Sequence, residues 1–427
     1  MITAGIIAEY NPFHSGHKYH IEETRRRTGA DYIIAVLSGD FVQRGEPAVV
    51  DKYFRTRMAL AGGADLVLEL PAVYATASAE YFAMAGVSLL HALQCVDYLS
   101  FGSEWVNREE YDFCVKVLTQ EPKNYQILLK EGLKKGKNFP SARQEAMEKI
   151  AGKNIELLRY PNHILGLEYG KAIQRLHSSI QPAAIQRRGA GYHDREERMF
   201  LASATAVREK LKKCREEVGA HGFSARRKAG DVPEFFTQIP GNLGEELFAE
   251  YMSGNTVSWE DMMPLLDYTI VMQRENLADF FGIDEEMAAR IRKNYIPGQD
   301  FSALIETMHT KNLTDAAWRR GFLHLLLQMK KEPYLRQAAK INVPYARVLG
   351  FSSQAAPLLR MLRKNSTIPI IQKPAQGKKQ LEQDPAACAL YGLDIRSAEI
   401  YEQIAAAKAG RRPIAEWARP QIRLDNF

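Results

Sequence analysis

The sequence predicts an α/β fold: a parallel-sheet domain with a helical insertion, followed by a mainly α-helical C-terminal domain. Three observations carry this. Short apolar runs alternate with helix-like runs over the first two hundred residues, polar helical runs interrupt them from about 106 to 160, and the spacing beyond Pro233 is mainly helical. Short apolar strands separated by helices build a parallel sheet covered on both faces.

Strands are expected at Thr3–Glu9, around the apolar run Ala4-Gly5-Ile6-Ile7-Ala8, and at Asp31–Leu37, Asp65–Leu70, Asp97–Phe101 and Ala183–Arg187. Helices are expected between them at Lys18–Arg27, Lys52–Ala61 and Ala79–Gln94. The insertion carries two or three polar helices and reads as turning at Lys137-Asn138-Phe139-Pro140. A loop rich in Gly, Arg and Ser runs from beyond Arg215 to Asp231. Helical spacing then returns at Trp259–Gln273, Asp284–Asn294, Phe301–Met308 and Asp315–Met329. A strand–helix–strand unit follows at Val343–Phe351, Gln354–Lys364 and Ile368–Ile371, then a polar linker, Gln372–Asp384, and a last amphipathic helix, Ile395–Lys408. The order divides the chain into residues 1–215 and 216–427.

The 427 residues, 46% hydrophobic and 25% charged, are ordinary for globular protein and sufficient for two or three domains. No apolar run approaches a membrane span, and Met1-Ile2-Thr3-Ala4 lacks the basic start of a signal peptide, so a cytoplasmic protein with no membrane partner is expected. Cys95, Cys114, Cys214 and Cys388 stand far apart, which excludes a zinc-site spacing and a disulfide frame. The net charge of +6 is permissive for nucleic acid. Basic residues cluster at Arg25-Arg26-Arg27, Lys134-Lys135-Lys137, Arg226-Arg227-Lys228, Lys378-Lys379 and Arg411-Arg412, each a solvated face or part of a polyanion surface.

Candidate functional residues gather at the carboxyl ends of the strands, where open α/β sheets bind ligands. After the first strand comes Asn11-Pro12-Phe13-His14-Ser15-Gly16-His17. This H-x-G-H lies where a helix begins, and helix N-termini attract anions. Gly16 leaves room for a phosphate, and His14 and His17 can donate to an α-phosphate as pyrophosphate is displaced. The rival readings are a helix start with surface histidines, or a metal pair extended by His20. After the second strand stands Ser38-Gly39-Asp40, and Asp40 suits either Mg²⁺ binding or orientation of the attacking group, or a hydrogen bond within a turn. Downstream, Ser203-Ala204-Thr205-Ala206-Val207-Arg208 starts a helix with Ser203 as N-cap. Its Ser203, Thr205 and Arg208 can hold the outer phosphates of ATP, or simply cap a helix.

These paired signatures resemble those of the HIGH-type nucleotidyltransferase superfamily. Longer stretches resemble one branch of it, the bacterial tRNA(Met) cytidine acetate ligases: Glu9 to His17, Ser38 to Pro47, Phe101-Gly102-Ser103-Glu104, Pro161 to Tyr169 and Gly189 to Asp194. The resemblance implies a Rossmann-like nucleotidyltransferase domain over 1–215 and a helical tRNA-binding domain over 216–427. It implies an ATP cradle made of Ile7, Ala8, Glu9, Tyr10, Asn11, Pro12, Phe13, His14, Ser15, Gly16, His17, Lys18, Tyr19 and His20. Gly102, Asn162, Arg187 and Arg188 complete that pocket. Without the resemblance, Gly102 reads as a turn and Asn162 as a helix cap. The family's basic, threonine-rich segment is reduced here to Thr310-Lys311-Asn312-Leu313-Thr314, leaving Arg319 and Arg320 as candidates for tRNA docking.

The activity so implied is a two-step ligase: acetate is activated by ATP, with Mg²⁺, to acetyl-adenylate, and the wobble cytidine of elongator tRNA(Met) becomes N4-acetylcytidine. Catalytic roles fall to His14, His17, Asp40 and Arg208, with no protein-held metal and no coenzyme A. Two rivals share the motifs, a small-molecule adenylyltransferase and a non-catalytic RNA-binding protein on the same scaffold. The first has no use for two hundred further residues with scattered basic clusters, and the retained histidines and Arg208 speak against the second. Arg226, Arg227 and Lys228, just after the phosphate-holding helix, are expected to meet tRNA phosphates.

Overall fold

Ten strands organise the computed structural model, which describes residues 1–103, 107–158, 161–187, 203–220, 236, 239, 242–310, 313–332 and 343–425. They are β1 (Thr3–Ala8), β2 (Tyr32–Ser38), β3 (Phe41–Val42), β4 (Glu46–Pro47), β5 (Leu66–Leu70), β6 (Tyr98–Ser103), β7 (Gln181–Gln186), β8 (Ala346–Ser352), β9 (Ile370–Ile371) and β10 (Ile422–Leu424). The main sheet runs β7-β6-β1-β2-β5-β8-β10, with β9 also on the outer edge of β8. From β7 to β5 every pairing is parallel. β1 is central, and the chain leaves it first on one side, through β2 and β5, and then on the other, through β6 and β7. β1 and β6 therefore flank the point where the winding reverses, and a crevice opens there beyond their carboxyl ends.

The five expected parallel strands all form. The inner ones are apolar runs buried on both faces, with Ile33 to Leu37 and Leu66 to Leu68 inaccessible to solvent, while β7 at the sheet edge is buried only in part. The Lys52–Ala61 and Phe301–Met308 helices have the expected bounds, since Asp51 and Asp300 cap them with carboxylates that accept Phe54 N–H and Ala303 N–H. The insertion consists of helices Arg108–Gln120, Lys123–Lys134 and Phe139–Ala151. The turn expected at Lys137–Pro140 is instead a helix start. Asn138 is the N-cap and Pro140 sits in the first turn, where its missing N–H costs nothing.

Helices dominate the described residues between 243 and 326, and the chain then returns to the sheet. β8 joins antiparallel to β5, with Arg347 opposite Glu69, and β10 joins parallel to β8. Strands from both sides of the expected boundary at 215–216 thus share one sheet, which is mixed at this edge. The final helix is longer than expected, Pro385–Lys408, and is not amphipathic: Leu390, Asp394, Ser397, Tyr401 and Glu402 are all buried. The expected linker is partly ordered as a turn at Pro374–Gln376 and a short helix at Gly377–Gln380. No helix among the described residues is long and apolar enough to cross a membrane.

Candidate functional site

His14 is the N-cap of the Ser15–Thr28 helix, which opens directly after β1 at the reversal point. Its backbone is extended, φ −148° and ψ 173°, and the cap is reciprocal. His14 Nδ1 accepts the Gly16 N–H at 3.1 Å, and His17 Nδ1 accepts the His14 N–H at 3.3 Å. Two histidines thus perform the exchange that a serine and a glutamate make in a capping box. The exchange also sets the chemistry. With both Nδ1 atoms accepting, the proton of each neutral ring resides on Nε2, the atom left to donate. The rings lie 3.8 Å apart between centroids, at 31°. A Cβ on Gly16 would come within 2.9 Å of His14 Cε1, so this glycine also secures the imidazole.

The rest of the expected cradle divides into wall and edge. Tyr10 and Phe13 are buried and pack on His17, with centroids 4.8 and 5.5 Å from its ring. Asn11 Oδ1 accepts Val49 N–H at 2.8 Å, and Glu9 Oε1 accepts Gln43 N–H at 2.9 Å. His20 turns into the sheet and bonds Ser100 Oγ at 2.9 Å, and Lys18 is exposed beside Glu22.

Burial, reinforced by the nearby Arg187 charge, lowers His14 and His20 to about 4. Burial and then the charges of His14, His20 and Arg187 hold His17 well below its ordinary value. Unfolded histidine titrates near 6.5, so between about pH 6.5 and 4 the unfolded chain binds more protons than the folded one. The stability linked to these neutral rings is complete above about pH 6.5 and lost as pH falls toward 4. Urea midpoints should therefore drop steeply across that window, and a midpoint flat down to pH 4.5 would refute the neutral-ring assignment.

The downstream signature meets the first one. In the Ala204–Ala220 helix, Arg208 Nη1 donates to the Asn11 carbonyl at 2.6 Å and Nη2 to Thr205 Oγ1 at 3.3 Å. Ser203 caps this helix, its Oγ accepting Ala206 N–H at 3.2 Å. On the other flank, Arg187 N–H donates to the Ser103 carbonyl, and the Arg187 stem lies over Gly102, where a Cβ would stand 3.2 Å from Arg187 Cγ. Gly102 thereby makes room for an arginine that faces the histidines. Asn162 is in the first turn of the Pro161–Arg175 helix. Its side chain, with Arg188, Glu104, Arg226, Arg227 and Lys228, lies outside the described residues.

Asp40 does not join this group. It is buried, its Oδ1 accepts Lys52 N–H at 2.7 Å, and Lys52 Nζ is 3.9 Å from Oδ2. The expected acid for metal or nucleophile therefore faces inward, as one member of a buried ion cluster. Lys52 Nζ lies 2.7 Å from Glu69 and 2.6 Å from Glu416, while Arg347 reaches the same two carboxylates at 2.9 and 2.5 Å. Burial alone would raise Glu416, but Lys52 and Arg347 outweigh it and hold the carboxyl at about 2. Two cations are matched by Glu69 and Glu416, and burial pushes the third carboxyl, Asp40, up to about 7 against the pull of Lys52.

Beside the cluster, the fully buried Arg55 donates to the carbonyls of Glu9, Ser38, Gly39 and Val50. It clamps the ends of β1 and β2 together under the site. The Ser38-Gly39-Asp40 signature serves this scaffold, and Gly39 is glycine because a Cβ would stand 2.8 Å from Glu69 Oε1.

The hairpin of β3 and β4 seats the helical region. Trp259 Nε1 donates to the Gly45 carbonyl at 2.9 Å, and Arg319 bonds Glu46 at 2.5 Å. Arg319, with the partly buried Arg320 beside it, therefore holds an internal contact. Gly45 has φ +73°, and a Cβ there would lie 2.4 Å from Arg320 N and 2.6 Å from Arg319 C. Gly45→Ala should cost about 3 kcal/mol or more, because strained backbone and a main-chain clash add. Gly29→Ala is the control: φ is similar at +66° but nothing stands within 4 Å, so about 1 kcal/mol is expected from calorimetry. Equal losses in the two variants would refute the seat.

Three comparisons bear on this geometry. Residues 1–414 match the family model described as HIGH Nucleotidyl Transferase. A tRNA(Met) cytidine acetate ligase of Caldanaerobacter subterraneus subsp. tengcongensis is 37% identical over 404 residues, covering 94% of this chain and 95% of that protein. Its counterpart from Acetivibrio thermocellus is 35% identical over 407 residues, 94% of each. The crystal structure of Thermotoga maritima TmcAL bound with alpha-thio ATP is similar over 100% of both chains, with a TM-score of 0.84 and 30% identity.

Proposed function

The chain belongs to the tRNA(Met) cytidine acetate ligases of the HIGH nucleotidyl transferase family, and on that premise we propose that it acetylates the wobble cytidine of elongator tRNA(Met) using acetate and ATP. The observation that best supports the reading is the reciprocal cap, which leaves two neutral imidazoles with Nε2–H donors at a helix N-terminus.

An acetate oxygen attacks the α-phosphorus, the bond to the β-phosphate oxygen breaks, and acetyl-adenylate and pyrophosphate result. His14 and His17 donate to the α-phosphate oxygens as charge gathers there. Neutral rings suit this role, since they hold a fixed donor at physiological pH without gaining or losing a proton. Arg208, anchored on the Asn11 carbonyl, directs its remaining N–H groups with Ser203 and Thr205 to the departing pyrophosphate, and Arg187 faces the same phosphates from β7. The cytidine N4 amine then attacks the acetyl carbonyl, AMP leaves, and the amine gives up a proton. The base must be splayed from the anticodon loop to reach the anhydride.

Asp40 and Glu9 are engaged by Lys52 and by Gln43 N–H, so this edge offers phosphate donors rather than oxygen ligands. Mg²⁺ is accordingly assigned to the substrate, entering as the ATP complex. Asn162 and Arg188 stay in the proposed pocket on the resemblance alone, and the reaction is placed in the cytoplasm with its tRNA.

Omitting each substrate in turn tests the reading. Labelled pyrophosphate should exchange into ATP with acetate present and tRNA absent, and acetyl transfer should need all three. Exchange that proceeds equally without acetate would overturn it.

A further inference from the structure

The sheet edge farthest from β7 carries a charge pattern that the adenylating site does not use. From Val343 to Leu381 the chain has no aspartate or glutamate, although the whole sequence has 51 in 427 residues. The same stretch holds Arg360, Arg363, Lys364, Lys373, Lys378 and Lys379, all exposed, and none is ion-paired among the described residues. β9 and β10 lie end to end along β8, beside the Ala356–Asn365 helix, and two hollows of about 400 and 480 Å³ open there. Arg363 and Gln372 line both hollows, joined at 2.6 Å. Lys373 and Gln380 add to one, and Arg360 and Arg423 to the other.

We propose that this β9–β10 edge is a docking surface for the phosphate backbone of the tRNA substrate, a proposal that rests on the ligase reading above. Guanidinium and ammonium groups with no carboxylate partner among the described residues, beside glutamine amides, are the donors that grip phosphate and sugar without reading sequence. The hollows are wide enough to admit phosphate and ribose groups, and their linings lack the carboxylates that would repel them. The span also fits. β1 and the line of β9 and β10 are four strand spacings apart, roughly 19 Å at ~4.8 Å each. An RNA stem of on the order of six base pairs covers that distance, so one arm can rest on this edge while its loop reaches His14 and His17. A basic edge that merely blocks strand-to-strand association is the competing explanation.

Arg360→Gln, Arg363→Gln and Arg423→Gln combined test the proposal, with the matching triple Arg→Lys variant retaining charge. Binding of tRNA(Met) to the full-length protein is measured across a salt series, and acetate-dependent pyrophosphate exchange is measured alongside. The glutamine variant should bind tRNA roughly tenfold or more weakly, with a log–log salt slope lower by about two to three, one step per lost phosphate contact. The lysine variant should keep most of the slope, and exchange should be unchanged in both. Wild-type affinity and slope in the glutamine variant would overturn the proposal and leave the edge as a solvated rim, and equal loss in both variants would assign the effect to packing. Failure of the wild type to exchange pyrophosphate with acetate would instead count against the ligase reading.

Discussion

Replacing His14 or His17 by alanine is expected to lower acetate-dependent exchange of pyrophosphate into ATP by roughly two to three orders of magnitude, the scale for removing one transition-state donor. The reciprocal cap complicates the experiment, because each alanine also frees a backbone N–H at the helix start and costs about 1 kcal/mol of stability. His14→Ser separates the two effects. A serine hydroxyl restores the cap acceptor but cannot place a donor where Nε2 stood. If capping alone mattered, the serine variant would recover exchange; the donor role requires it to stay as slow as alanine while its thermal midpoint returns. Near-normal exchange in either alanine variant would remove the histidines from the chemistry.

The largest stability effect is expected at Arg347. Arg347→Met leaves Glu69, Glu416 and Asp40 in the interior with Lys52 as their remaining cation in the cluster, and breaking a buried network in this way costs about 3–5 kcal/mol. Urea unfolding would measure it. Arg347→Met combined with Glu69→Leu removes one charge of each sign and should recover part of the loss, since fewer carboxylates then compete for Lys52. A single variant within 1 kcal/mol of the wild type would mean that water or protonation already relieves the cluster.

The strands were legible in the sequence because burial on both faces forces an unbroken apolar run, as in Leu66-Val67-Leu68, and the carboxyl ends of those strands then gave the site. The role of Asp40 was not legible. Its partners Lys52, Glu69, Arg347 and Glu416 are scattered over 365 positions of chain, and only folding brings them together. A faint signal existed: Glu69 interrupts one apolar strand and Arg347 another, and charges inside buried strands must find each other. They stand directly opposite in the β5–β8 pairing. The reciprocal cap was half visible, since H-x-G-H at a helix start was read as a phosphate site without the exchange that fixes each proton.

Glu416 gives the ion cluster a consequence in time. Tyr53 and Lys52 reach this carboxylate across more than 360 residues, so the lock beneath the site is closed by a side chain synthesised long after the residues it secures. A nascent chain grown to residue 208 already contains His14, His17 and Arg208, yet β5 still lacks β8, and Lys52 still lacks the acceptor that Glu416 brings to it. Contacts between such distant parts of a chain form late. Truncation upstream of residue 416 is accordingly expected to leave Lys52 and Arg347 short of one carboxylate and to loosen the floor of the site, even though His14, His17 and Arg208 are all present.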